Sequence, residues 1–450
     1  MTCTKNTIFK SYFMGGFECS SNRMRRGRRL DLIESTRHEE FAAADYRRLI
    51  DIGIGTARDG LRWHLIEKTP GVYDFASVEA QAAAMRETGI QVIWDLFHYG
   101  YPDDLDIFSG EFPVRFASFA AASAEYLAPQ TDGPLILCPI NEISFFSWIA
   151  CEVGHFHPFA RKRGDEVKRQ LVRAAVAAID AIRSVAPDAR FVQIDPAINV
   201  IGSSANSKSL AGAAAYNESQ FHGFDMMCGR YEPELGGGEK YLDMIGLNYY
   251  FHNQWRYPNR RKIPPGHKDY KPLRDILAGY HDRYNRPLFI AETGIEDDER
   301  PGWLSYVGGE VKAAVANGVP VEGICIYPIV NHPGWVDDRH CHNGLWDYIG
   351  ENGEREIYAP LADEIERQID AFKDRAGGNA SVNERAFTKG TCLLSRVGSL
   401  SFRTPRRSLR PPRLANTLTQ RTLRNTAEFT GENCPLSILR FFLAQRFLHV

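Results

Sequence analysis

No apolar run in the chain reaches the roughly 18 residues that a membrane-spanning helix needs. The N-terminal stretch MTCTKNTIFKSYFMGG lacks the continuous apolar core and cleavage site of a secretory signal. Cysteine is sparse: nine residues in 450, scattered singly, with no CxxC pair. An odd set of thiols without an export signal excludes a small disulfide framework and predicts reduced cysteines in a cytoplasmic protein with no membrane partner. Neither sign of charge dominates, with 54 basic and 56 acidic residues, and a hydrophobic share of 44% excludes a collagen-like or fully disordered chain. The near-neutral total hides an asymmetry. From Arg375 to Val450 there are 13 Lys/Arg and 3 Asp/Glu, a net of +10, which leaves the preceding residues at −12 for a whole-chain net of −2.

The acidic body alternates short apolar runs with amphipathic stretches. The runs are Tyr12–Ser20, Gly55–Leu61, Ile90–Phe97, Leu135–Asn141, Phe191–Asp195, Met244–Tyr250, Leu288–Glu292 and Gly323–Ile329. Their starts lie roughly 35 to 55 residues apart, enough for a crossover helix between parallel strands. Thr36 and Glu39 have the spacing of a capping box and predict a helix running to Gly53. Val78–Thr88 is Ala-rich and ends at Gly89, and Val167, Leu171, Ala175, Ile179 and Ile182 form a helical stripe. Most runs are apolar without alternation, as in strands covered on both faces. Eight strands alternating with helices give an α/β protein. An open doubly wound sheet fits that alternation, but eight is the number that closes a (β/α)8 TIM barrel, the expected fold of residues 12–374 with a last helix near Ala359–Phe372.

In such a barrel, chemistry stands at the C-terminal ends of the strands. Arg58 lies in run 2 and Trp63 just after it, His98 follows run 3, Asn141 ends run 4 with Glu142 next, Asn248 and Tyr250 end run 6, Glu292 ends run 7, and Tyr327, Asn331, His332 and Trp335 end or follow run 8. Glu142 and Glu292 each come at the end of an apolar run, where an unpartnered carboxylate is costly. Facing one pocket, such a pair divides the work of glycoside hydrolysis: one proton donor with a raised pKa, one ionised nucleophile. Arg58 beside the second keeps it ionised. Trp63, Trp148, Tyr327 and Trp335 are candidates to stack on a sugar ring, with Trp63 and Trp148 equally readable as wall or core.

These segments resemble, in order, those of retaining (β/α)8 glycoside hydrolases, closest to the family 1 β-glycosidases. ARDGLRW (57–63) is similar to that family's strand 2 segment, LFHYGYP (96–102) to "LFHWDLP", PINE (139–142) to "NEP", and GLNYY (246–250) to "NYY". IAETG (290–294) is similar to "TENG", YPIVNHPGW (327–335) to "WSLLDNFEW", and NGLWDY (343–348) to "FGLYYVD". The resemblance implies Glu142 as acid/base and Glu292 as nucleophile, with Arg58 and Tyr250 supporting the nucleophile. It implies His98 and Asn141 as sugar-hydroxyl ligands and Tyr327 as the aromatic floor. Asn248 and Trp335 complete the substrate-binding candidates. The implied activity is a β-glucosidase-like double displacement on a carbohydrate, with no metal or organic cofactor.

The departures fall on recognition rather than chemistry. Ile143 replaces the proline of "NEP", Thr293 the asparagine of "TENG", and Gly334 the glutamate that grips the far side of glucose. The strand 1 glutamine has no clear counterpart, Glu18 or Asn22 being the nearest stand-ins. A barrel that binds carbohydrate with little or no turnover is therefore the alternative reading. Two HxH pairs, His155/His157 and His340/His342, have the spacing of zinc ligands, but no carboxylate pattern completes a set. The basic segment 375–450 is expected to be a low-order extension rather than a nucleic-acid-binding arm.

Overall fold

The computed structural model describes residues 8–25, 27–335 and 337–373 of the 450-residue chain. The basic extension expected over 375–450 lies outside them. Eight parallel strands form the closed barrel: β1 (Phe13–Gly16), β2 (Thr56–Gly60), β3 (Gln91–Asp95), β4 (Ile136–Cys138), β5 (Arg190–Pro196), β6 (Met244–Asn248), β7 (Leu288–Thr293) and β8 (Val321–Ile326). Each pairs with its sequence neighbours, and β1 closes the ring onto β8 with Phe13 opposite Ile324. The principal helices between and after them are α1 (His38–Asp51), α2 (Glu79–Thr88), α3 (Glu111–Leu127), α4 (Gly164–Val185), α5 (Ser207–Ser219), α6 (Leu273–Tyr284), α7 (Arg300–Ala316) and α8 (Ala359–Lys373). The sequence reading of a TIM barrel with a closing helix is therefore correct. No helix among the described residues is long and apolar enough to cross a membrane.

Side-chain alternation sorts the strands into two cores. Phe13, Ala57, Val92, Trp94, Ile290, Ile324 and Ile326 pack outward under the helices, while Met14, Ile93, Phe289, Ala291 and Cys325 fill the barrel interior. This period of two also carries Arg58 and Asp95 inward. Strict alternation places Glu292 outward, next after the inward Ala291. The register slips between Ile290 and Glu292, however, and this slip returns Glu292 to the interior while Thr293 faces Trp303 of α7.

One local expectation fails. Thr36 does not cap α1: its hydroxyl donates to the Leu32 carbonyl at 2.8 Å, closing the preceding turn Leu32–Ser35, which Asp31 caps. Glu39 pairs with Arg62 instead. The helix starts after Arg37 in a left-handed conformation with no side-chain cap, and packing of its apolar face carries it to Gly53. The Gly89 stop of α2 and the apolar stripe of α4 are as expected.

A buried charge cluster ties α1 to the barrel. His38 lies 2.9 Å from Asp45 through Nδ1 and 2.9 Å from Asp59 through Nε2, and its ring stacks on Phe17. Burial opposes its charge, but Asp59 and Asp45 outweigh burial and raise its pKa from 6.5 to about 9. A raised folded-state pKa gives stability that is complete below pH 6.5 and lost as pH rises through 9. We expect that window to cost about 3 kcal/mol, and His38→Asn to lack that loss. Denaturant unfolding of both proteins at pH 6 and 9.5 checks it; parallel pH dependences count against the pairing.

Candidate active site

The carboxylates of Glu142 and Glu292 reach one cavity of about 430 Å³ at the C-terminal end of the barrel. Glu142 follows β4 in a left-handed backbone conformation (φ 54°), and its N–H donates to the Ile194 carbonyl of β5 at 2.9 Å. That turn aims the side chain across the barrel mouth and leaves it only 8% exposed. Asn248 Nδ2 donates to its Oε1 at 2.9 Å, and the Tyr99 hydroxyl donates to its Oε2. Burial, reinforced by the negative charge of Glu292, raises the Glu142 pKa to about 8.

Glu292 is 5% exposed and held through both oxygens. Arg58 Nη1 donates to Oε1 at 2.8 Å and the Tyr250 hydroxyl donates to Oε2 at 2.9 Å. Burial raises this carboxyl too, but the Arg58 guanidinium opposes it. The first proton that the pair takes up therefore belongs to Glu142.

Arg58 is fully buried and spends all its N–H donors. Nε and Nη2 grip Asp95 at 3.1 and 2.7 Å, Nη1 also reaches the Ala291 carbonyl at 3.1 Å, and Nη2 donates to Asn141 Oδ1 at 2.8 Å. The ring of Tyr327 lies 5.1 Å from the guanidinium carbon. Because Asn141 Oδ1 faces Arg58, its amide nitrogen faces His98 Nε2 at 3.0 Å; Nδ1 of that ring then donates to Asp95 at 2.9 Å.

The sequence candidates thus fall into two groups. Glu142, Glu292, His98, Tyr250 and Trp335 line the cavity, as does Glu18, the stand-in for the missing glutamine. Arg58, Asn141 and Asn248 stand behind that wall and bond to its members, and the Tyr327 ring stacks on His98. Trp148 lines the cavity, whereas Trp63 is core, stacked on Phe119 with its indole N–H on Glu67. Tyr249 points out against Trp303 while Tyr250 points in. Asn331 is engaged with Gly344 N–H and Asp347, and the buried His332 with Asn343 and the Pro333 carbonyl.

Two members escaped the sequence reading. Asp95 was visible as the one charge inside the run IQVIWDLF. Tyr99, at φ 71°, owes its place to a backbone turn with no sequence signal. Neither HxH pair forms a metal cluster among the described residues: His340 pairs with Asp347 and stacks on Tyr348, and His157 packs on Tyr101. Cys19, Asp95 and His98 do bring ligand atoms within 4.8 Å of one another. Both oxygens of Asp95 are already taken by the Arg58 guanidinium, which occupies a cation's place. The six described cysteines are buried free thiols.

No protein-family model matches the chain, and no curated protein does. Solved structures do. A family 1 β-glucosidase from Thermotoga maritima is similar at a TM-score of 0.64 and 16% identity, over 78% of this chain and 90% of that one. The β-glucosidase from Thermotoga maritima in complexes with glucoimidazole and with castanospermine is similar at a TM-score of 0.65 and 15% identity, over 81% of this chain and 98% of that one. The chain is a (β/α)8 barrel with the fold of the family 1 β-glucosidases.

Proposed function

We propose that the protein is a retaining β-glycosidase acting on a carbohydrate substrate. The observation that carries this reading is the asymmetry of the buried pair: Glu292 is bound by a guanidinium and a phenol, while Glu142 has neutral partners and a pKa raised to about 8. Glu292 attacks the anomeric carbon as Glu142 passes its proton to the leaving oxygen, and a glycosyl ester forms on Glu292. Glu142, now ionised, takes a proton from water; the water oxygen attacks the anomeric carbon, the ester bond breaks, and the sugar leaves with its configuration retained. Tyr250 and Arg58 hold both oxygens of the nucleophile, and Trp335 offers a ring to the sugar. The expected roles of Asn141, Asn248 and Tyr327 become positional: they orient Arg58, His98 and Glu142.

A panel of nitrophenyl glycosides, phosphorylated ones included, tests the reading; absence of turnover on every member favours the carbohydrate-binding alternative. The clamp position is Gly334, whose N–H donates to the Arg339 carbonyl in a loop that Arg339 ties to Glu296. With no bidentate acceptor there, the site is expected to discriminate weakly between β-glucosides and β-galactosides. Efficient cleavage of the first with rejection of the second counts against this expectation.

The pH profile is expected to follow the proton on Glu142. Activity falls as pH rises through about 8, because the donor is then ionised. The Tyr99 and Asn248 hydrogen bonds favour the ionised form and lower that pKa. Tyr99→Phe therefore moves the alkaline limb of kcat/KM to higher pH; an unmoved or lowered limb overturns the assignment.

A further inference from the structure

The cavity continues beyond the two carboxylates along the segment that carries Glu142. Phe145, Trp148, Tyr216 and Trp255 line this part, and Lys168, in the second turn of α4, lines its end. Lys168 is only 8% exposed, yet it makes no hydrogen bond and no ion pair among the described residues. Asp195, Asp165 (which also lines the cavity) and Arg169 act on it electrostatically, and neither carboxylate lies at ion-pair distance. Glu152 lines the same end and is turned to the Gly164 N–H. An ammonium that sees only the cavity and no protein acceptor is poorly solvated, and a neutral hydroxyl answers its hydrogen bonds but not its charge. An anion answers both.

The geometry points to a leaving-group subsite for an aromatic ring bearing a carboxylate, with Lys168 as its counter-ion. The proposal rests on the glycosidase reading above, because that reading makes Glu142 the proton donor and so puts the leaving group on the side of its segment. The glycone then lies over Glu292 between His98, Glu18 and Trp335. A cavity of about 430 Å³ is of the size that takes a drug-sized ligand, such as one hexose with one aryl ring. Aromatic walls suit the ring, and the Lys168 ammonium supplies a charged contact that orients it.

The test compares the β-glucoside of 4-hydroxybenzoate with that of its methyl ester. The two leaving groups are of similar size and differ chiefly in charge. The wild type is expected to prefer the carboxylate by about tenfold or more in kcat/KM, and Lys168→Met to bring that ratio to about one. A wild-type ratio near one, or a preference that survives in Lys168→Met, overturns the proposal. If neither glucoside is cleaved, the catalytic reading is in question while the subsite is still decided by calorimetry with free 4-hydroxybenzoate. Binding to the wild type that is lost in Lys168→Met supports the subsite, and absence of binding to the wild type overturns it. A melting temperature is measured alongside: loss of an unpartnered buried charge should leave it equal or higher, whereas a fall would assign Lys168 to the fold instead.

Discussion

Glu292→Ala is expected to lower the turnover of an activated aryl glycoside by about 10⁴-fold or more, the scale on which removal of a nucleophile acts. The argument is local. Arg58 and Tyr250 are aimed at the two oxygens of this carboxylate and hold it for attack on the anomeric carbon. In the alanine variant the space left by the carboxylate opens on the anomeric carbon. Added azide should enter it and restore part of the rate, releasing a glycosyl azide of inverted configuration. Glu142→Ala should behave differently. Its loss removes proton donation, worth about 10²–10⁴-fold, and the deficit should shrink toward nothing for leaving groups that depart as stable anions. The pair of variants is checked by rate measurements over aryl glycosides of graded leaving-group acidity, with and without azide. Equal deficits across that series, or azide products of retained configuration from Glu292→Ala, would reverse or remove the two roles.

The barrel was legible because its signals are repetitive: eight apolar runs at crossover spacing survive errors of a few residues at each boundary, as the shortening of Tyr12–Ser20 to Phe13–Gly16 illustrates. The buried carboxylate pair was legible because an acid that closes an apolar run has few structural excuses. The division of the remaining residues into lining and support was not. Asn141 and His98 read alike as sugar ligands, but only His98 reaches the cavity, since Asn141 Oδ1 is consumed by Arg58. That outcome depends on which donors converge on one guanidinium from several strands, a three-dimensional count that no spacing encodes. Glu292 itself faces inward only through a register slip in β7, and Glu142 and Tyr99 only through left-handed turns. The failed capping box at Thr36 has the same origin: the hydroxyl was competed for by the Leu32 carbonyl of a turn that the sequence did not announce.

Arg58→Met is expected to cost both the fold and the chemistry, which separates it from every other substitution around the pocket. Among the described residues the guanidinium is the one group that bonds to Asp95, Glu292 and Asn141 together. Without it two carboxylates are left in the barrel interior without their cation, a loss that in buried pairs amounts to about 3–5 kcal/mol. Arg58 also lowers the proton affinity of Glu292, so its removal should raise that pKa and move the acidic limb of the rate profile to higher pH, the nucleophile now being protonated where it was ionised. Arg58→Lys retains a charge but presents a point donor rather than a fork, and cannot span Asp95, the Ala291 carbonyl and Glu292 at once. It should recover part of the stability and little of the rate. Denaturant unfolding together with the pH dependence of kcat/KM measures the two effects on the same proteins. Stability unchanged in Arg58→Met would mean that Asp95 and Glu292 share protons instead of relying on the arginine, and an unmoved acidic limb would free Glu292 from its control.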